Sequence, residues 1–363
     1  MNLILIGPYP PAYFGQSLAF KYACDFLSDH FKTRLFSFNL NLNDPAFKFI
    51  IKSLLKFINL LFLLLLTSKT KVYISASRGK VSIYRDLFVC AICLLRSHPY
   101  VLHVHGNDLF SNHKENGFIW PLVRVVYEKA NEVIVLNKYM HDQFKKEFNR
   151  SIKIITNGIN NTIVHSSSDE PFLRRPNTFI YLSNLHFSKG IIHLVDAFKK
   201  LKNSECSLLI AGELLGDSYY SSKEIKEIFL NKIKEDSRIE YLGTITSNDI
   251  KFRYLEQSSF FILPSFYPPE AFPLSIIEAM SSGCAIITTN HNGIDQYQNA
   301  SNNFVIDVRD LEDDITLHKY LENCAKLDLK KWNEISQTNV ETAINYYTLK
   351  PYQNKILAVL KSI

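Results

Sequence analysis

Two carboxylates eight positions apart frame the stretch PSFYPPEAFPLSIIEAMSSGC, residues 264–284: Glu270 sits in a proline-bounded bend and Glu278 in what reads as the first turn of a helix. An ionised carboxylate only accepts hydrogen bonds, so the partners it seeks are amides, cations or hydroxyls. Ser275 and Glu278 have the spacing of a capping box, in which each side chain satisfies the other's free backbone amide. That reading makes Glu278 a cap and leaves Glu270 unexplained, because PPEAFP offers no amphipathic face to solvate it. A second chemistry accounts for both. The free amides at a helix N-terminus attract phosphate, and carboxylates beside them accept hydrogen bonds from sugar hydroxyls.

Other residues can serve the same chemistry. FSKGIIHLVDAFKKL starts a helix with the apolar face Ile191, Leu194, Val195 and Phe198, and Lys189 falls in its first turn. A cation there opposes the helix dipole unless an anion is near; an extended surface lysine is the plainer alternative. YVLHVHGND puts His103 and His105 on one face of a strand, His103 as a core histidine and His105 at the strand's end. Neither a Cys cluster nor an Asp-x-Asp motif accompanies them, so no metal site is expected. Gly15 closes GPYPPAYFG, the loop after the first strand, where a glycine lets the backbone approach a diphosphate or simply turn.

The elements that must hold these residues come in two series. LILIG, RLFSF, KVYISA, YVLHVHG, EVIVLN and KIITNG run up to Gly158, and TFIYLSN, SLLIAG, RIEYLG, SFFILPS, AIITTN and NFVIDV follow residue 176. These runs are apolar on both faces, as strands of parallel sheets covered on both sides should be. Two doubly wound α/β domains are implied, whose ligands bind beyond the carboxyl ends of the strands. The polar, proline-bearing stretch NNTIVHSSSDEPFLRRPN separates them, giving domains 1–168 and 169–345. The stretch from Trp332 to Ile363 reads helical with an interruption around Leu349, Lys350 and Pro351, and residues 346–363 are expected to cross back to the first domain.

Composition sets the limits. A chain of 363 residues, 47% of them apolar, exceeds one small core and suits about two domains. Its six cysteines have no framework spacing; Cys90 and Cys93 are spaced as a redox pair but lie in the apolar run LFVCAICLL, where small buried hydrophobes are expected. A reducing compartment follows. MNLILIGPYPPAYFG reads as a first strand and not as a signal peptide, which makes the chain cytoplasmic. Residues 1–170 hold 20 of the 41 lysines and arginines but only 12 of the 35 acidic residues. Within this basic half, IKSLLKFINLLFLLLLT has an unbroken apolar part of about ten residues, half of a membrane span. With Lys52, Ser53, Lys56 and Asn59 on one polar side, residues 50–66 fit a peripheral contact with anionic headgroups or an ordinary sheet-covering helix.

A diphosphate and a polyol bound together describe a nucleotide sugar, and the stretch that suggested them has a known likeness. Glu270, seven residues, Glu278, then Ala279, Met280 and Gly283 resemble the Glu-x7-Glu signature of retaining GT-B glycosyltransferases, the large family of glycogen-synthase-like and lipopolysaccharide sugar transferases. The resemblance covers most of the chain and is strongest from Phe179 to Tyr297. It implies a GT-B architecture, two Rossmann-like domains facing a central crevice. It further implies that Glu278 holds ribose hydroxyls and that Glu270 faces the transferred sugar. Backbone amides around Phe272 to Ser275, those of Phe272, Leu274 and Ser275 with Pro273 shaping the turn between them, would meet sugar hydroxyls and a phosphate. Lys189-Gly190 matches the family's Lys-Gly pair, His105 the family's histidine near the sugar, and Ile245 in the loop LGTI the main-chain contact to the nucleobase. Where the family carries Gly-Arg, this chain has Ser183-Asn184, so half of the cationic clamp is missing; Asn184 can donate a hydrogen bond but no charge.

The activity implied is transfer of a sugar from a nucleotide diphosphate, UDP more often than GDP in the family, to an acceptor hydroxyl with retention at the anomeric carbon. The basic first domain and its apolar helix suit a lipid-linked saccharide acceptor in bacterial surface polysaccharide synthesis (O-antigen, capsule or lipopolysaccharide). No cofactor, no metal and no nucleic-acid partner are expected. A nucleotide-sugar 2-epimerase on the same fold and a nucleotide-binding partner subunit with weak catalysis are the alternatives.

Overall fold

A computed structural model describes residues 2–10, 14–38, 46–79, 81–114, 117–160, 175–297, 303–312 and 314–363. The chain divides into Met1–Gly158 with Leu349–Ile363, and Ile159–Thr348. A boundary at residue 168 lies outside the described residues.

In the first unit the elements run β1 (Asn2–Ile6), α1 (Gly15–Ser28), β2 (Lys32–Phe36), α2 (Ala46–Leu66), β3 (Lys71–Ser75), α3 (Ser82–Leu95) and β4 (Tyr100–His103). There follow α4 (Leu109–His113), α5 (Trp120–Lys129), β5 (Glu132–Val135), α6 (Lys138–Glu147) and β6 (Ile152–Ile154). The six strands form one parallel sheet in the order β2-β1-β3-β4-β5-β6. Every residue of β3 and β4 is buried, which is why neither strand alternates between apolar and solvated positions. Right-handed crossovers place α1 on one face of the sheet and α2, α3 and α5 on the other.

The second unit contains β7 (Arg175–Leu182), α7 (Ile191–Lys199), β8 (Ser207–Ala211), α8 (Ser222–Ile233), β9 (Ile239–Gly243), α9 (Asn248–Gln257) and β10 (Ser258–Leu263). It continues with α10 (Leu274–Ser281), β11 (Ala285–Thr289), β12 (Phe304–Ile306), α11 (Asp314–Ala325) and α12 (Leu329–Tyr346). Its parallel sheet has the order β12-β11-β10-β7-β8-β9. The chain winds outward from β7 to β9, returns to β10 beside β7, and winds the other way. This reversal is the topological switch point at which doubly wound sheets bind ligands. Phe179 stacks on Phe260 across the β7–β10 seam, ring centroids 5.0 Å apart, and Ile191, Leu194, Val195 and Phe198 of α7 are all buried, as their helical spacing requires.

The last helix, α13 (Leu349–Ser362), packs with the first unit. Tyr352 and Ile356 join Ala19, Phe20 and Ala23 of α1 in one core, and the Tyr352 hydroxyl donates to the Ala19 carbonyl at 2.8 Å. The break before it falls at Tyr347 and Thr348, slightly earlier than the proline suggests. Pro351 lies within the first turn of α13, where a missing N–H costs nothing. All six cysteines are buried free thiols. Burial pushes the Cys93 thiol up to about 12 and that of Cys90 well up also, so neither has the thiolate character of a redox pair.

Candidate functional site

At the β7–β10 switch point two loops meet. The loop after β7 carries Ser183 to Gly190 and the loop after β10 carries Pro264 to Pro273. Lys189 Nζ lies 3.2 Å from Glu270 Oε2 and donates to Ser183 Oγ at 2.9 Å. Ser265 Oγ donates to the same carboxylate oxygen at 3.2 Å, and the lysine ammonium sits 5.4 Å from the centroid of the Tyr267 ring. Glu270, unexplained as a solvated residue, is buried and ion-paired. An ammonium has three donors, so Ser183 and Glu270 can orient this one toward a further acceptor.

Lys189 does not open a helix. It ends a short 3-10 turn, Phe187–Lys189, and α7 starts only after Gly190. The reason is steric: Gly190 has φ +76°, and a Cβ there would sit 2.0 Å from the Pro264 carbonyl oxygen. Only glycine lets the two loops touch at this point. The Phe266 amide donates to the Ser188 carbonyl at 2.8 Å and continues the seam. On its other side Asp217 accepts from the Ser188 amide at 2.8 Å and from its hydroxyl at 2.6 Å. Burial would raise the Asp217 pKa, but hydrogen bonds from Ser188, Tyr219 and Tyr220 outweigh it and hold the carboxyl below its ordinary value. The Lys189 loop is thus clamped between β8 and β10.

The bend that carries Glu270 is fixed from β11. Asn292, at φ 51°, donates from Nδ2 to the Pro268 carbonyl at 2.8 Å and to the Glu270 carbonyl at 3.1 Å. Phe272 is buried between Tyr297 and Tyr347, ring centroids 4.8 and 5.4 Å away, so its backbone and not its ring is what the site can use. Helix α10 begins at Leu274 with Pro273 as N-cap and no side chain capping it. The capping box expected of Ser275 and Glu278 therefore does not form. Glu278, also buried, is drawn to a neighbouring helix: Lys251 of α9 donates to Glu278 Oε1 at 2.6 Å. A strong cationic donor outcompetes a backbone amide for an ionised carboxylate. The helix closes at Gly283, φ +75°, the left-handed C-terminal residue its sequence suggests.

Asn184 is exposed at the carboxyl end of β7, its carbonyl accepting from the Tyr181 hydroxyl at 3.1 Å. Ile245, half-buried, follows β9. The second unit thus brings Asn184, Lys189, Glu270 and Phe272 to Ser275 to the ends of β7 and β10, with Glu278 on the helix that leaves them. Ser183, Ser265, Lys251, Asp217 and Asn292 had no site role in the sequence, since their contacts cross between elements.

In the first unit Gly15 begins α1, and a Cβ added there would meet nothing within 4 Å. Gln16 beside it donates to Ser75 Oγ and the Ala76 carbonyl, both at 3.0 Å, joining α1 to the end of β3 where this sheet reverses. His103 is wholly buried, its Nδ1 2.5 Å from the Tyr73 hydroxyl. His105 lies two residues beyond, its ring 4.0 Å from that of His103. Burial, helped by the Arg78 guanidinium and opposed by a contact with Asn157, pushes the His105 pKa down to about 3, so its imidazole is neutral at any physiological pH. Among the described residues no group of three or more His, Cys, Asp or Glu is arranged to hold a metal ion.

The chain is similar to known proteins in sequence and in fold. The profile of the family described as "Glycosyl transferases group 1" matches residues 165–334. A sucrose synthase of Thermosynechococcus vestitus is 28% identical over 194 residues, 50% of this chain and 24% of the sucrose synthase. The match thus spans about a quarter of that relative's length. Among solved structures, Anabaena Alr3699/HepE in complex with UDP and glucose has a TM-score of 0.74 over 100% of both chains at 14% identity. The sucrose-phosphate synthase of Thermosynechococcus elongatus has 0.72 over 99% of this chain and 98% of that one, at 15% identity. The likeness of the solved structures is one of fold: residues 165–334 carry a glycosyl transferases group 1 domain, and the two six-stranded parallel sheets are those of the GT-B fold.

Proposed function

We propose that the chain is a retaining glycosyltransferase that moves a hexosyl group from a UDP-sugar to a hydroxyl of a lipid-linked saccharide, in the synthesis of a bacterial surface polysaccharide at the cytoplasmic face of the membrane. The observation that carries this reading is the Lys189–Glu270 pair at the β7–β10 switch point, beside the uncapped start of α10. The choice of UDP is supported by the Anabaena neighbour, solved with UDP and with UDP-glucose.

In this reading the amides at the head of α10 and the Lys189 ammonium meet the diphosphate, Glu270 faces the hexose, and Glu278, oriented by Lys251, accepts from the ribose hydroxyls. Asn184 borders the diphosphate and Ile245 meets the nucleobase through its main chain; the family resemblance assigns Gly15 to the diphosphate and His105, neutral, to the sugar. The bond from the anomeric carbon to the β-phosphate oxygen breaks as the bond to the acceptor oxygen forms on the same face, and the acceptor proton passes to the leaving diphosphate. Charge developing on that diphosphate is met by Lys189 and the helix amides, with no metal called for. Preorganised donors aimed at such charge contribute about 3–4 kcal/mol each.

Titration of the full chain with UDP, GDP and their hexose conjugates tests the reading. A ligand bound to the native state at a hundredfold its Kd stabilises by about 2.7 kcal/mol, and Lys189→Ala should abolish most of that stabilisation. Donor incubated alone yields a changed free nucleotide sugar from an epimerase and nothing from a transferase awaiting its acceptor. Failure of every nucleotide to bind would overturn the assignment.

A further inference from the structure

The outer surface of the first unit's helical layer is apolar where a water-facing surface should be polar. On α3, Val81, Tyr84, Phe88 and Leu95 recur at the spacing of one helical face, and all are exposed, Val81 at 83% and Leu95 at 76%. Along α5 and its lead-in the same holds for Phe118, Leu122 and Val125, with Phe118 at 89%. Helix α2 buries Leu60 and Leu64 and leaves Phe47, Ile50, Leu54, Phe62 and Leu66 outward. Helix α2 packs on α3 and α3 on α5. The exposed Phe88 ring meets Phe57 of α2 edge-on at 6.4 Å, so the three faces form one surface wider than residues 50–66. Soluble monomers rarely expose a contiguous apolar patch beyond a few hundred Å² without a partner for it.

The charges around this surface indicate the partner. Helix α2 carries Lys48, Lys52 and Lys56 and no acidic residue. Arg96 follows α3 and Lys129 ends α5, both exposed. The acids of these two helices are already matched, Asp86 by Arg85 and Glu128 by Arg124. A second copy of the chain would set the lysines of α2 against one another, whereas anionic headgroups would meet them with opposite charge. No helix among the described residues is long and apolar enough to cross a membrane. We propose that the α2–α3–α5 face seats the first unit on an anionic lipid bilayer as a peripheral contact, its aromatic and leucine side chains in the interface and its lysines on the headgroups. The inference deepens the lipid-linked acceptor of the proposed function but rests on observations independent of the nucleotide residues.

The test sediments the full chain with vesicles of phosphatidylcholine alone and of phosphatidylcholine mixed with phosphatidylglycerol, at low and high salt, with UDP affinity measured in parallel. Binding is expected on the mixed vesicles and should weaken in high salt, which screens headgroup attraction. Replacing Lys48, Lys52 and Lys56 together by glutamine should weaken partitioning roughly a hundredfold. A separate variant, Phe88→Ser with Leu95→Ser, should also release the protein while keeping the lysines. Absence of binding to mixed vesicles, binding that ignores both variants, or a concentration-dependent dimer that these variants dissolve in the absence of lipid would each overturn the proposal. Failure of the unmodified chain to bind mixed vesicles, with its UDP affinity intact, sinks only the docking face; vesicle binding without any nucleotide affinity sinks the proposed function and leaves the face standing.

Discussion

Lys251 Nζ lies 2.6 Å from Glu278 Oε1, with 16% and 12% of the two side chains exposed. This pair joins α9 to α10 and holds the carboxylate away from its own helix N-terminus, leaving the α10 amides uncapped. A carboxylate so placed is ion-paired and preoriented, the condition under which a hydrogen bond from a sugar hydroxyl is strongest.

If Glu278 accepts from ribose, Lys251→Met should do two things at once. Removal of one partner of a half-buried charged pair should cost about 1–3 kcal/mol of stability, read by urea unfolding. Donor affinity should drop roughly tenfold as the carboxylate loses its orientation. Glu278→Gln should lower UDP affinity at least as far. Should Lys251→Met unfold more easily yet bind UDP as the parent does, the pair is structural only.

Asn184 stands exposed at the carboxyl end of β7, six positions from Gly190, where the family resemblance calls for an arginine. Asn184→Arg adds a guanidinium able to bind phosphate in two places. UDP affinity should rise about tenfold, measured by calorimetry, with the gain shrinking in high salt. Unchanged affinity would remove Asn184 from the neighbourhood of the diphosphate.

The inner strands were legible because burial on both faces writes itself as apolar runs, as in β10 and β11; the largely exposed edge strands β2 and β6 only overlap the runs read for them. Gly283 was legible because a helix C-terminus has a local signature. What escaped was set by contacts between distant parts of the chain. Ser275 and Glu278 satisfy a capping rule that looks three residues along, but Lys251 lies 27 positions away and wins. Lys189 looked like a first-turn residue because the carbonyl of Pro264, which forces the turn at Gly190, is invisible in FSKGII. Asn292 and Asp217 are ordinary loop residues until the loops they clamp are in view.

Gly190→Ala offers a stringent check of the clamp between those loops. The new Cβ would start 2.0 Å from the Pro264 carbonyl oxygen, at φ +76°. Left-handed backbone costs a residue with a Cβ about 1–2 kcal/mol, and overpacking adds about 1–3 kcal/mol. A stability loss of roughly 2–5 kcal/mol is expected, with UDP affinity lost among molecules that remain folded because Lys189 is displaced. A fully stable Gly190→Ala protein would contradict the close approach of the two loops.

The histidines of the first unit set a pH dependence whose sign can be fixed. His105 is held neutral in the folded state, its pKa pushed down to about 3 first by burial and then by Arg78, and His103 is held well below its ordinary value by burial and by His105. An unfolded histidine titrates near 6.5. Above that pH neither state binds the proton and stability is unaffected. As the pH falls below about 6.5 the unfolded chain takes up protons that the native chain refuses, so stability is lost at up to about 1.4 kcal/mol per pH unit for each such histidine, until the pH reaches its folded pKa. Urea midpoints measured from pH 7.5 downward should therefore decline below pH 6.5, and His105→Asn, which has nothing to titrate, should decline less steeply although it starts from a lower midpoint. Parallel curves for the two proteins would mean that His105 takes its proton in the folded state, and a neutral hydrogen-bonding role toward a sugar would lose its basis.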